Sequence, residues 1–238
     1  MTHTSLKTAG VITAFAAIIL AGMGNSSKRV TAQDGTGGQT EESRIQRGFA
    51  IAPVPLTLQG KNRALVGLGS YVVNAVGDCN GCHSASPPTE FASPGGNPYL
   101  LSPPFSGTVE INTKNYLGGG RDFGPFGAPP QIPHLYSRNL TPDKTGLPAG
   151  GRTYAEFVEI MRQGTDFDHL HPNCTAPGTP TNCLMPPFNG DLLQVMRWPF
   201  FRNMTDHELR AIYEYLSAIP CNPGKVIVGA PYLQNVCE

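Results

Sequence analysis

Residues 79–83 read CNGCH. Two cysteines separated by two residues, with a histidine directly after, place two sulfurs and an imidazole on little more than one turn of backbone. Few chemistries need that set. Structural zinc needs four ligands, usually a second CxxC or a paired histidine further along, and the remaining cysteines stand nowhere at such a spacing. A thioredoxin-like dithiol places its CxxC at the start of a helix that follows a buried strand, whereas GSYVVNAVGD, which precedes this motif, reads as a short helix running into it. Covalent haem attachment accounts for every position: each thiol adds to one vinyl group, and the adjacent histidine reaches the iron from the same side. Five residues also arise by chance, so export and a second iron ligand downstream are the features that decide.

The N-terminus supplies the compartment. After Lys7 comes the apolar run AGVITAFAAIILAGM, residues 9–23, too short to span a bilayer comfortably and suited to the apolar region of a secretory signal. Val30 and Ala32 offer a cleavage site before Gln33; an uncleaved anchor, and with it membrane association, is the second reading of segment 1–32. In both cases the remainder is periplasmic or otherwise exported. Residues 33–48 then read as a flexible polar linker within a lead-in that extends to 61.

Export changes how the six cysteines are read. In an oxidising compartment thiols pair, and four lie in two local couples outside the motif. Cys174 and Cys183 bracket the turn-rich TAPGTPTN, and Cys221 with Cys237 would tie the tail 222–238 back to the end of the last helix; buried unpaired thiols are the alternative. Cys79 and Cys82 are left over.

Composition sets the frame for such a centre. A chain of 238 residues that is 39% hydrophobic and 14% charged buries a core, and Gly 28 with Pro 23 implies long irregular loops between few, short elements. With zero net charge and no Lys/Arg cluster, nucleic acid is excluded as a partner class.

A six-coordinate electron-transfer haem needs a second axial ligand, commonly a methionine. Met161 falls inside the helical pattern TYAEFVEIMRQ, where a core role fits, and Met204 abuts the N-cap of the last helix as a hydrophobic staple. Met185, in LMPPF, and Met196, in VMRWPF, both lie in loops. Met185 adjoins the expected Cys174–Cys183 hairpin and is the second choice. Met196 stands nine residues before Thr205, a stretch that reaches roughly 30 Å when extended, enough to cross a haem face and deliver the chain to the last helix. Thr205 to Glu208 and Thr153 to Glu156 are capping boxes, and Leu209, Ile212, Leu216 and Ile219 form one apolar stripe. Gly69 is either a helix-start glycine or a point where another helix comes close.

On these residues the chain resembles the class I cytochrome c family, and in detail the monohaem domains related to the cytochrome subunits of quinoprotein dehydrogenases. The resemblance rests on GSYVVNAVGDCNGCH, on SRNLTPDKTG, on a methionine loop ending in NMTD, and on LRAIYEYLSAIP, and it covers roughly residues 62–221. Two departures stand out: MRWP where MPWP is expected, and a Pro/Gly-rich insertion over 84–135. The resemblance implies a mainly α, cytochrome c-like small helical domain around one haem c, with long Pro/Gly-rich loop insertions. It further implies thioethers at Cys79 and Cys82, His83 as an axial ligand, and a redox partner protein that is a dehydrogenase or an oxidase.

The other polar groups carry less. Asp166, Asp168, His169 and His171 in TDFDHLH read as a solvated loop before they read as ligands, and His134 is uninformative. Arg138 and Asn139 suit donation to haem propionates, while turn chemistry alone would also explain Asn139 and Pro142. Trp198 packs on the haem edge or fills the core. Two function classes follow: an electron carrier with a saturated iron, which is the favoured reading and not an enzyme, and a haem enzyme or ligand sensor with a displaceable sixth ligand.

Overall fold

Two close helix crossings organise the core, and glycines make both possible. A computed structural model describes residues 40–85, 90–92, 96–103, 107–125, 134–168, 188–227 and 233–238. Thr40 caps helix α1 (Glu41–Ile51) by accepting from the Ser43 amide, with Glu41 and Glu42 in the first turn, where the positive helix end favours them. This corrects the reading of 33–48 as a flexible linker, as far as the described residues reach. Polar composition hides a narrow inward face of Ile45, Gly48 and Phe49, which packs on α2 (Arg63–Tyr71). A Cβ on Gly48 would lie 1.9 Å from the Gly67 carbonyl oxygen, and one on Gly67 would meet the Phe49 and Ile45 side chains at 2.6 and 2.7 Å.

Asn62 caps α2 by accepting from the Ala64 and Leu65 amides. The helix runs on into a π-helical turn, Val72–Val76, and Asp78, left-handed at φ 45°, turns the chain into the short helix α3 (Cys79–His83). The motif is thus delivered by helix, as its preceding residues suggest. Strands β1 (Asp122–Pro125) and β2 (His134–Tyr136) form one antiparallel ribbon.

Helix α4 (Tyr154–Gln163) has the expected capping box between Thr153 and Glu156, and Gly164, at φ 78°, ends it in the left-handed cap that glycine favours. Helix α5 (Trp198–Phe201) is one short turn. The last helix, α6 (Asp206–Leu216), carries the second capping box, Thr205 with Glu208. Leu209, Ile212, Leu216 and, just past the helix, Ile219 are all buried. Burying such side chains contributes about 1.5–3 kcal/mol each, against about 1 kcal/mol for a cap, so the stripe dominates this helix's stability. Beside the stripe, Ala211 and Tyr215 bring α6 against α2 at Gly69, where a Cβ would fall 1.9 Å from the Ala211 carbonyl oxygen. Close approach is therefore the reading of Gly69 that holds. Short helices with little sheet agree with the expected mainly α, cytochrome c-like domain. No helix among the described residues is long and apolar enough to cross a membrane; segment 1–32 lies outside them.

The C-terminal tail is docked by a bridge between Cys221 and Cys237. Asn235 donates to the Thr141 carbonyl at 2.9 Å and the Lys144 amide to the Val236 carbonyl at 2.6 Å, so the bridge clips the tail onto the 141–144 loop. Closing a loop of 16 residues stabilises by about 3 kcal/mol in the chain-entropy model. The Cys221→Ala/Cys237→Ala variant should therefore melt about 6–12 °C lower. Differential scanning calorimetry checks this, and an unchanged melting temperature would mean that the clip contributes nothing. The expected Cys174–Cys183 couple lies outside the described residues.

Candidate functional site

Helix α3 ends beside the return of the 84–135 insertion, and hydrogen bonds join the two. The Gly119 amide donates to the His83 carbonyl at 2.7 Å, and the Leu117 amide donates to Asn80 Oδ1 at 3.0 Å. The Arg121 guanidinium donates to the Gly81 carbonyl. Gly119 sits at φ 71°, where an added Cβ would press 2.6 Å from the Arg138 carbonyl carbon. Residues 116–121 thus press the motif against segment 137–141.

That segment orients the histidine. His83 Nδ1 lies 2.7 Å from the Arg138 carbonyl oxygen. A carbonyl only accepts, so Nδ1 carries the proton and Nε2 keeps its lone pair. Burial, the largest influence, holds the His83 pKa below its ordinary value and so favours the neutral ring that a metal needs. Burial likewise pushes the Cys79 thiol up to about 12, with the Asp78 carboxylate and then Cys82 adding to it. A nucleophilic dithiol depends on a lowered thiolate pKa, so this environment does not suit that chemistry. Cys79 and Cys82 are unbridged.

Cys79, Cys82 and His83 line one large cleft, which encloses about 1870 Å³ with the solvent at its mouth included. Val72, Leu140, Phe157, Ile160, Ile212 and Leu216 give it a mostly apolar lining. Met196 lines it as well, as do Met161 and Met204. Met161, on α4, is buried in the core, as expected, and Met204, directly before the N-cap Thr205, is packed against that core. Met196 comes from the loop before α5. That loop is anchored to the end of α4: Thr165 pairs with Leu192, the Leu193 amide donates to the Gly164 carbonyl at 2.8 Å, and the Asp166 amide to the Asp191 carbonyl at 2.8 Å. Met185, His169 and His171 lie outside the described residues.

A flat apolar macrocycle with two carboxylates fits these residues. Two thiols and an imidazole, the thioethers of Met161, Met196 and Met204, and the side chains of Arg138, Arg152 and Arg197 all line the cleft. Asp166 and Asp168 do bond their own loop, the Asp168 amide donating to Asp166 Oδ1 at 3.2 Å, and they are also ion-paired: Asp166 accepts from Arg138 at 2.9 Å, and Asp168 accepts from Arg138 and from Arg152 at 2.7 Å each. Asn139 serves turn chemistry. It is buried, its Oδ1 accepts from the Thr141 amide at 2.9 Å, and its Nδ2 donates to the Asn222 carbonyl at 2.8 Å. Trp198 fills space behind the methionine loop. Its Nε1 donates to the Leu193 carbonyl at 3.0 Å, and its ring covers Gly164, where a Cβ would come within 2.4 Å. His134, exposed on β2, pairs with Asp122 at 2.8 Å. Residues 116–121 gave no chemical signal in the sequence beyond the glycine run GGG at 118–120.

The chain is 28% identical over 169 residues to the cytochrome c subunit of the quinone alcohol dehydrogenase of Gluconacetobacter polyoxogenes, a match covering 71% of this chain and 24% of the relative. The corresponding subunit of Komagataeibacter europaeus gives the same values, 28% over 169 residues and the same coverage. The gluconate 2-dehydrogenase cytochrome c subunit of Pantoea cypripedii is 29% identical over 156 residues, 65% of this chain and 23% of that protein. These homologues are cytochrome c subunits of dehydrogenases, as the motif-level resemblance indicates. The matched region spans about a quarter of their length. No family model matches the chain, and no solved structure matches it.

Proposed function

We propose that the chain is an exported monohaem c-type cytochrome that passes single electrons between redox partners, with thioethers at Cys79 and Cys82 and iron held by His83 and Met196. One observation carries this reading: the two thiols, the oriented histidine and the methionine loop face a single apolar cleft. The domain boundaries go with it: a signal or anchor over 1–32, a cytochrome domain over 62–221 and a clipped tail over 222–238. When bound, haem c supplies a one-electron ferric/ferrous couple.

The protein's own residues do the rest. The Arg138 carbonyl fixes the His83 ring and its tautomer, and by accepting from Nδ1 it raises the basicity of Nε2. The Met196 thioether favours the ferrous state. Apolar walls keep water from the centre, which disfavours the more highly charged ferric form. Because the relatives are dehydrogenase subunits, the partner on one side is a dehydrogenase, and this chain relays electrons without acting on the substrate.

Acid-acetone extraction of the purified protein should leave the colour on the polypeptide, and a pyridine haemochrome assay should give about one haem per chain, since the sequence holds one CxxCH. Extractable haem, or zinc in its place, would overturn the reading.

A further inference from the structure

The side chain and the backbone of Arg138 do different work. Its carbonyl oxygen holds His83 Nδ1, while its guanidinium reaches across to Asp166 and Asp168. Asp168 also accepts from Arg152 at 2.7 Å, Arg152 pairs with Glu156 at 3.8 Å, and its guanidinium stacks on the Phe167 ring 5.2 Å away. The Arg152 carbonyl in turn accepts from the Tyr213 hydroxyl of α6 at 2.9 Å. Residues 164–166 are the strip on which 191–193 is pinned, three residues before Met196. The segment that orients the histidine and the segment that carries the methionine are therefore joined by one ionic network at the edge of the cleft.

We infer that Asp166 and Asp168, through Arg138 and Arg152, act as positioning residues: an ionic clasp that holds the methionine-bearing segment against the histidine-bearing one and so sets how readily an outside ligand takes the sixth position. The inference rests on the reading of His83 and Met196 as the iron ligands. Burial makes the clasp consequential. The four side chains retain only 12–25% of their exposure, whereas in the Arg162–Asp206 pair on the far side of α4 the carboxylate keeps 90%. Exposed pairs of that kind are worth little. Partly desolvated networks that share partners couple strongly.

The test uses the haem-loaded protein and neutral imidazole as the probe of the ferric iron. Asp166→Asn/Asp168→Asn should raise the rate of imidazole binding about tenfold or more and weaken the long-wavelength absorption of methionine-ligated ferric haem. Arg152→Gln should move both in the same direction by less, and serves if the double variant folds poorly. Asp168→Glu should restore nearly the parent rate, and Asp206→Asn should leave it unchanged. An unchanged rate in the double variant, or a rise matched by Asp206→Asn, would overturn the clasp while leaving the ligand assignment intact. A parent protein that lacks the methionine absorption overturns the assignment instead, and the clasp with it.

Discussion

Met196→Ala is expected to abolish the long-wavelength methionine absorption of the ferric protein, lower its reduction potential, and open the ferrous protein to carbon monoxide. The loss follows from what the thioether does: it fills the sixth position and prefers ferrous iron, so its removal both vacates the position and relatively stabilises the ferric state. Met161 and Met204 also line the cleft, but neither is a ready substitute. Met161 is held in the last turn of α4 and is buried in the core, and Met204 directly precedes the N-cap of α6. Met185→Ala should change neither the spectrum nor the potential appreciably. The opposite outcome for the two variants would transfer the ligand to Met185. A parent protein that already binds carbon monoxide readily would favour the enzyme or sensor over the carrier.

What could be read from the sequence divides by range. Both capping boxes, the glycine stop at Gly164 and the stripe from Leu209 to Ile219 were legible, because caps and amphipathic faces are written within a few residues of where they act. The cysteines and histidine of the centre were legible for the same reason, since covalent attachment fixes their spacing. Helix α1 was not, because its inward face depends on Gly48 and Gly67, residues that carry no hydropathy signal and matter only through the nearness of another backbone. Nor was the second role of Arg138 legible. A carbonyl oxygen that orients an imidazole leaves no trace in residue identity, and the partnership with Asp166 and Asp168 spans 28 and 30 residues. The 84–135 insertion reads as an excursion, yet its return over 116–121 buttresses the motif through the Leu117 and Gly119 amides and the Arg121 guanidinium, and an amide is a group that nearly every residue possesses.

Gly69→Ala, the addition of one methyl group, is expected to destabilise the protein and to reduce haem attachment. On an isolated helix this substitution stabilises by about 1 kcal/mol, because alanine loses less backbone freedom. Here the new Cβ would sit 1.9 Å from the Ala211 carbonyl oxygen and 2.7 Å from the Tyr215 Cβ. Neither obstacle is the tip of a flexible side chain, so the helix axes must separate. Separation would loosen the contacts of Leu68, Leu209 and Leu216, all nearly fully buried, and would strain the hydrogen bond from Asn74, just past α2, to Tyr215 of α6, together with the bonds that the Tyr116 hydroxyl makes with both. Overpacking costs of about 1–3 kcal/mol or more thus win over propensity, and the denaturation midpoint of the haem-loaded protein should fall by a corresponding amount. Because α2 runs through the π-helical turn directly into Cys79, a shifted axis also misplaces the motif, and the yield of covalently attached haem should drop with stability. Gly60→Ala is the contrast. It has φ 71° and open space around it, so it should cost about 1 kcal/mol through backbone strain alone and leave haem attachment untouched. If Gly69→Ala proved neutral or stabilising, propensity would have won, and the tight crossing of α2 with α6 could not be what positions the haem-binding motif.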